Sequence, residues 1–172
     1  ILVSFPLALI FFRKEIKFPK NISVQLFRGF FLFLSTVFFF YAISIISLAQ
    51  ALTLAFVSPI IVTILSIFYL KEKVGIHRWS AVIIGFIGVL IIIRPGFLEI
   101  NFASISAIGA GTAYAFYIIY TRKLSFIDSP IVTLLFTGIV GCILISIILP
   151  FYWINIDMRQ LLLLILLASI GT

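Results

Sequence analysis

The chain has 172 residues, 64% of them hydrophobic and 10% charged, with a net charge of +7 and a mean hydropathy of +1.37. A water-soluble domain of this composition would present one continuous apolar surface, so that class is excluded. The twelve Lys and Arg sit at the ends of apolar runs rather than along one stripe, which removes nucleic acid as a partner.

Runs of about 20 apolar residues read as membrane-spanning helices. A β-barrel would alternate over segments of about 10 residues, and the chain has no such pattern. The expected fold is therefore all-α, a polytopic transmembrane helical bundle. Residues 1–12 read as the tail of a span, and the chain as a fragment of a longer protein, since it starts at Ile1 and both ends fall in apolar runs. They are not a signal peptide, because positive charge follows the apolar run instead of preceding it. A basic loop, 13–25, leads to a second span at 26–46, with Arg28 near its entrance.

The third span, 48–70, is the one around which the others are expected to arrange themselves. Ser47, Ala51, Ala55 and Ser58 step by four, four and three, which makes a stripe of small side chains on one helical face. Pro59 follows at mid-span. It has no N–H and crowds the carbonyl of Ala55, so a bend is expected there. A basic loop, 71–78, separates this span from the fourth, 79–93, where Trp79 reads as an interfacial anchor. A turn at 94–101 precedes the fifth span, 102–121. A loop at 122–130 precedes the sixth, 131–152, and a seventh begins at 160. Alternation of these spans puts ten of the twelve basic residues on one side and only Arg94 and Arg159 on the other, so loops 13–28, 71–78 and 122–130 are expected in the cytoplasm.

The five acids, Glu15, Glu72, Glu99, Asp128 and Asp157, lie in loops or at span ends, and His77 lies in a loop. Nothing pairs them for catalysis or metal binding, and Cys142 stands alone in an apolar run. No enzyme activity, metal or cofactor is expected. Apart from groups at span ends such as Arg28, no ionisable group is visible inside the membrane, so exchange or facilitated movement fits the visible residues best. Tyr114, Tyr117 and Tyr120 step by three and sweep an arc of about 120° on one face of the fifth span. A phenol suits an amphipathic organic ligand; an interfacial aromatic belt is the alternative. Gln50, Thr53 and Ser58 are the polar groups of the third span, facing either a substrate cavity or other helices and their own backbone. Gly85 and Gly88 read as close-packing positions, as do Gly138 and Gly141. Arg28, Glu72 and Arg94 read as snorkelling side chains, with Arg28 and Glu72 at a cytoplasmic mouth as the alternative.

Four features then line up. Arg28-Gly29 opens a span. Ala51, Pro59, Leu70 and Glu72 mark a span with a central proline and an acid at its end. Gly85, Gly88 and Val89 lead to Arg94-Pro95. Gly109 leads through Tyr114-Ala115 to Arg122. In this order, over about residues 25–123, they resemble the drug/metabolite transporter superfamily, in particular its EamA-like ten-span family. The resemblance implies two inverted five-helix repeats, here 1–94 and 102–172, both incomplete. It implies a bacterial inner-membrane carrier for a small organic metabolite, working by alternating access within the lipid bilayer. Gln50, Thr53, Ser58, Tyr114 and Tyr117 would bind substrate, and Pro59 would be the hinge. Family members often carry Trp where Tyr114 stands. They move amino acids, nucleotide-like metabolites and drugs, and some take up S-adenosylmethionine. No motif here selects among these, and a homodimer is left open. The rival functions are a non-transporting membrane scaffold subunit and a membrane-embedded lipid-modifying enzyme.

Overall fold

A computed structural model describes residues 19–93, 101–152, 157, 158, 160, 162, 163 and 166. The span at 1–12, the turn around Arg94 and most of the seventh span lie outside the described residues. Within them every regular element is a helix: α1 (Ile22–Ile43), α2 (Leu48–Ala55), α3 (Ser58–Tyr69), α4 (Ile76–Ile93), α5 (Phe102–Ser125) and α6 (Pro130–Ile148), then a 3-10 turn over Leu149–Tyr152. Four stretches, Ile22–Ile43, Leu48–Tyr69, Phe102–Ser125 and Pro130–Ile148, are long and apolar enough to cross a bilayer. In α4 the apolar stretch Ile76–Ile91 is shorter.

The helix ends follow from local chemistry. The Asn101 side chain accepts from the Ser104 N–H at 2.9 Å and starts α5. Ser129 caps α6, whose first residue is Pro130, where a missing N–H costs nothing. The third span is interrupted at Phe56-Val57, where the chain tightens. The Phe56 N–H bonds to both Leu52 and Thr53 oxygens, and the Val57 N–H reaches back only to Leu54. Pro59 then sits in the first turn of α3. The bend expected at Pro59 is thus expressed two to three residues upstream, because proline fits a helix's first turn and disturbs the turn before it.

The bundle is organised around α5, not around the third span. α5 runs antiparallel to α1, its most extensive neighbour, and parallel to α2 and α3. Its buried face is made of Ala103, Ala107, Ala110, Gly111, Ala113 and Ala115 with Ser104, Ile119 and Leu124. Small residues let the backbones close in. Ala42, Ala51 and Ala107 meet with no exposed surface. At Gly111 a Cβ would lie 2.5 Å from the Ala55 carbonyl oxygen and 3.0 Å from its Cα. Hydroxyls stitch the same seam: Ser35 donates to the Ala110 oxygen at 2.9 Å, and Ser106 to the Phe38 oxygen at 3.0 Å. On the other side of α1, Gly29 admits α6, since a Cβ there would come within 2.7 Å of Val140. Gly85, Gly88 and Gly141 differ from expectation: among the described residues, no atom approaches within 4 Å of a Cβ built there.

Gly111→Ala is expected to destabilise the full-length protein by about 1–3 kcal/mol, because the clash is with backbone and no rotamer relieves it. Gly85→Ala, where no described atom lies within 4 Å of the added Cβ, should leave stability unchanged or raise it by up to about 1 kcal/mol. Melting temperatures of both variants in detergent check the contrast; equal effects would remove the Ala55–Gly111 approach as a constraint.

Candidate functional site

Buried Gln25, Arg28 and Thr133 come together at one end of the bundle. There α1 starts, α5 ends, and α6 starts. Arg28, 4% exposed, lies in the second turn of α1. Its Nε donates to Thr121 Oγ1 at 2.8 Å. Nη1 donates to Gln25 Oε1 at 3.2 Å and to the Thr133 carbonyl at 2.8 Å. Nη2 reaches Tyr117 Oη only at 3.5 Å. The guanidinium carbon stands 5.1 Å from the centre of the Tyr117 ring. Arg28 therefore does not snorkel. It is held inside by a hydroxyl, an amide, a backbone carbonyl and a phenol, from three helices.

The Gln25 amide extends the network. Its Nε2 donates to Asp128 Oδ2 at 2.9 Å and, at 3.4 Å, to Thr133 Oγ1. Asp128 also accepts the Lys20 backbone N–H at 3.1 Å. Gln25 thus separates a buried cation from a half-buried carboxylate and bonds to both. Sequence reasoning placed Gln25 and Asp128 in loops and singled out neither Thr121 nor Thr133. The available signal was the three-residue step from Gln25 to Arg28, which sets two polar side chains on one face of an apolar helix.

Glu72 belongs to a second cluster at the same end. Lys71 adopts a left-handed backbone, φ 52°, which folds the chain back so that the Glu72 N–H meets the Ser66 oxygen at 3.2 Å. Glu72 Oε2 then accepts Arg78 at 3.2 Å and Arg122 at 3.1 Å. It joins the α3–α4 loop to α5 and does not pair with Arg28. The two clusters meet along α5, where Thr121 serves one and Arg122 the other.

The tyrosines of α5 separate. Tyr114 is 42% exposed and stacks on Tyr117, with centroids 5.6 Å apart at 29°. Tyr117 in turn contacts Arg28. Tyr120 turns into an aromatic seam with Phe27, Phe31 and Tyr69.

The polar groups of the third span are elsewhere. Gln50 forms a capping box with Ser47: the Ser47 N–H donates to Gln50 Oε1 at 3.2 Å, and the Gln50 N–H donates to Ser47 Oγ at 3.3 Å. The Ser-x-x-Gln pattern was legible as such a cap. The Thr53 hydroxyl donates to the Ala49 carbonyl of its own helix. Ser58 is half-buried at the start of α3. An open cavity of about 350 Å³ between α1 and α5 is apolar, lined by Phe31, Phe38, Ile105 and Phe116 among others, and includes none of these groups. Among the described residues no group of His, Cys, Asp and Glu is arranged to hold a metal ion.

Long apolar helices packed through small faces around an interior polar network define a multi-pass membrane protein. The sequence profile of the EamA-like transporter family matches residues 1–94, more than half the chain, and the chain belongs to that family. A riboflavin transporter of Vibrio cholerae is 43% identical over 81 residues, covering 47% of this chain and 27% of that protein. S-adenosylmethionine uptake transporters of Rickettsia bellii and Rickettsia prowazekii are each 28% identical over 149 residues, covering 87% of this chain and 51% of theirs. The chain spans about half the length, or less, of these curated relatives. No solved structure matches it.

Thr121→Val should destabilise the full-length protein by about 1.5–3 kcal/mol, because it takes an acceptor from a buried charged donor. Glu72→Gln should cost under about 1 kcal/mol, its two ion pairs being solvent-accessible. Denaturation in detergent checks the order, and a larger loss for Glu72→Gln would reverse the ranking of the two clusters.

Proposed function

We propose that the chain is part of a bacterial inner-membrane carrier that moves a small organic metabolite by alternating access, as an exchanger or facilitator and not as an enzyme. The observation that carries this reading is the interrupted span Leu48–Tyr69 in a chain of a transporter family, with α5 crossing at the interruption. Discontinuous membrane helices recur where carriers bind and release substrates. In this reading residues 1–94 and 102–172 belong to two inverted repeats, and Pro59 is the hinge. Tyr114 and Tyr117 supply the aromatic contact. Ser58 lies beside the hinge, while Gln50 and Thr53 reach substrate only by leaving their present partners. Arg28 and Glu72 belong to the cytoplasmic mouth.

The names of the relatives favour a substrate with a planar heteroaromatic ring, since riboflavin and S-adenosylmethionine both carry one. Stacked phenols such as Tyr114 and Tyr117 offer such a ring a face. Counterflow tests this with the full-length protein in liposomes. The vesicles are loaded with unlabelled metabolite and given labelled riboflavin, S-adenosylmethionine, nucleosides or amino acids without an ion gradient. Accumulation of a heteroaromatic metabolite is expected. Uptake only under a proton or sodium gradient would replace exchange with coupled transport, and silence under every gradient would favour a scaffold subunit. Pro59→Ala restores an N–H opposite the Ala55 carbonyl and should slow counterflow while leaving the amount of membrane-inserted protein unchanged. Equal loss of both would make Pro59 a folding residue.

Orientation has its own test. Gly75 lies in the basic loop, and among the described residues no atom lies within 4 Å of a Cβ built there. Gly75→Cys in an otherwise cysteine-free full-length protein should react with a membrane-impermeant maleimide from the cytoplasmic side. Reaction from outside in intact cells would invert the topology.

A further inference from the structure

Among the described residues no carboxylate bonds Arg28 directly; Asp128 is reached only through the Gln25 amide. The direct acceptors of Arg28 are Thr121 Oγ1, Gln25 Oε1, the Thr133 carbonyl and Tyr117 Oη, all neutral. The described acids nearby are engaged elsewhere: Asp128 by Gln25 and the Lys20 N–H, Glu72 by Arg78 and Arg122. Burying a cation without a counter-ion is costly, and a neutral amide or alcohol would serve these acceptors as a simple bolt between helices. Bolting three helices together thus accounts for the hydrogen bonds, and for the charge there is only a carboxylate held one side chain away.

The donors are unequally used as well. Nε and Nη1 have acceptors at 2.8–3.2 Å. Nη2 carries two N–H groups, and among the described residues its one recorded acceptor is Tyr117 Oη at 3.5 Å. That under-used edge faces Tyr117. Tyr117 stacks on Tyr114, and Tyr114 is exposed. Guanidinium, phenol and phenol form a row from the buried charge to an open helix face, at successive spacings of 5.1 and 5.6 Å.

We infer that Arg28 is a specificity-determining residue that receives an oxyanion, a carboxylate or phosphate, at its Nη2 edge, so that the carried metabolite is an anion or zwitterion whose aromatic part lies along Tyr117 and Tyr114. This deepens the transport reading and rests on it. A planar, delocalised guanidinium matches such oxyanions in geometry and is weakly hydrated, so it suits this recognition in a dry interior. In the described conformation the Nη2 edge is held against Tyr117, while Thr121 and Thr133 hold the rest of the guanidinium. The anion replaces Tyr117 Oη when α1 and α5 part.

Two matched pairs of probes test it on the full-length protein: riboflavin 5′-phosphate against riboflavin, and S-adenosylmethionine against its decarboxylated form. Equilibrium binding to the detergent-solubilised protein should favour the anion-bearing member of at least one pair by about tenfold, the scale of one charge-assisted hydrogen bond. Arg28→Gln should erase the preference while the neutral member's Kd stays within about twofold, and Arg28→Lys should keep part of it. Equal binding or no binding within both pairs overturns the inference, as does a preference that survives in Arg28→Gln. If Arg28→Gln fails to fold, the wild-type comparison decides by itself. Counterflow separates the two layers: equal movement of both members overturns the role of Arg28 alone, whereas no movement of any metabolite overturns the transport reading and this inference together.

Discussion

Inside a bilayer, apolar side chains gain nothing by leaving lipid for protein, so helices adhere only where their surfaces meet closely or where hydrogen bonds cross between them. α5 meets both conditions. Its alanines and Gly111 present almost no side-chain relief, and α1, α2 and α3 come down onto its backbone. The Ala42–Ala51–Ala107 contact and the Ala55–Gly111 approach are two such close points. The rest of the arrangement depends on them: the seam of Ser35 and Ser106 can form only when the carbonyls of the opposite helix are within reach, and the aromatic stacks of Phe31 with Phe116 and Tyr120 fill the width left beyond it.

The basic end is held by a different force. There the contacts are directional and electrostatic, and their strength comes from the low dielectric around them. Arg28 links three helices through four oxygens, and Gln25 passes the contact on to Asp128. A bundle that is close-packed in the middle and hydrogen-bonded at one end has two unequal kinds of cohesion. Packing tolerates a small rotation. A hydrogen-bond network of this kind is either made or broken.

Much of this was legible in the sequence. Hydropathy located the described spans to within a few residues, since length and apolarity alone decide membrane crossing. Pro59 announced the interruption because its chemistry is local, and only the offset to Phe56-Val57 needed coordinates. The small stripe at Ala51 and Ala55 pointed at a close contact but could not name its partner. That partner proved to be α5, which displaced the third span as the centre of the bundle. Arg28 was visible as a charge near a span end. Its burial was not, because Thr121 and Thr133 lie about a hundred positions away in the chain, and a single sequence carries no record of such pairings. Gln50 takes the other of the two places expected for it: its Ser47 partner is three residues away, and a local bond took precedence over a distant one.

The contact between Gly111 and Ala55 also marks the point about which a tilt of α5 would turn. Thr121 lies ten residues beyond Gly111 on the same helix, a distance of about 15 Å at 1.5 Å per residue. A tilt of α5 by about 10° around that fulcrum hardly moves the fulcrum itself and carries Thr121 sideways by about 2.6 Å. That is nearly the full length of its 2.8 Å bond to Arg28. Ala103, eight residues to the other side, swings the opposite way by about 2 Å. Leverage of this kind turns a displacement too small to disturb a packed centre into the loss of a latch at one end and a squeeze at the other.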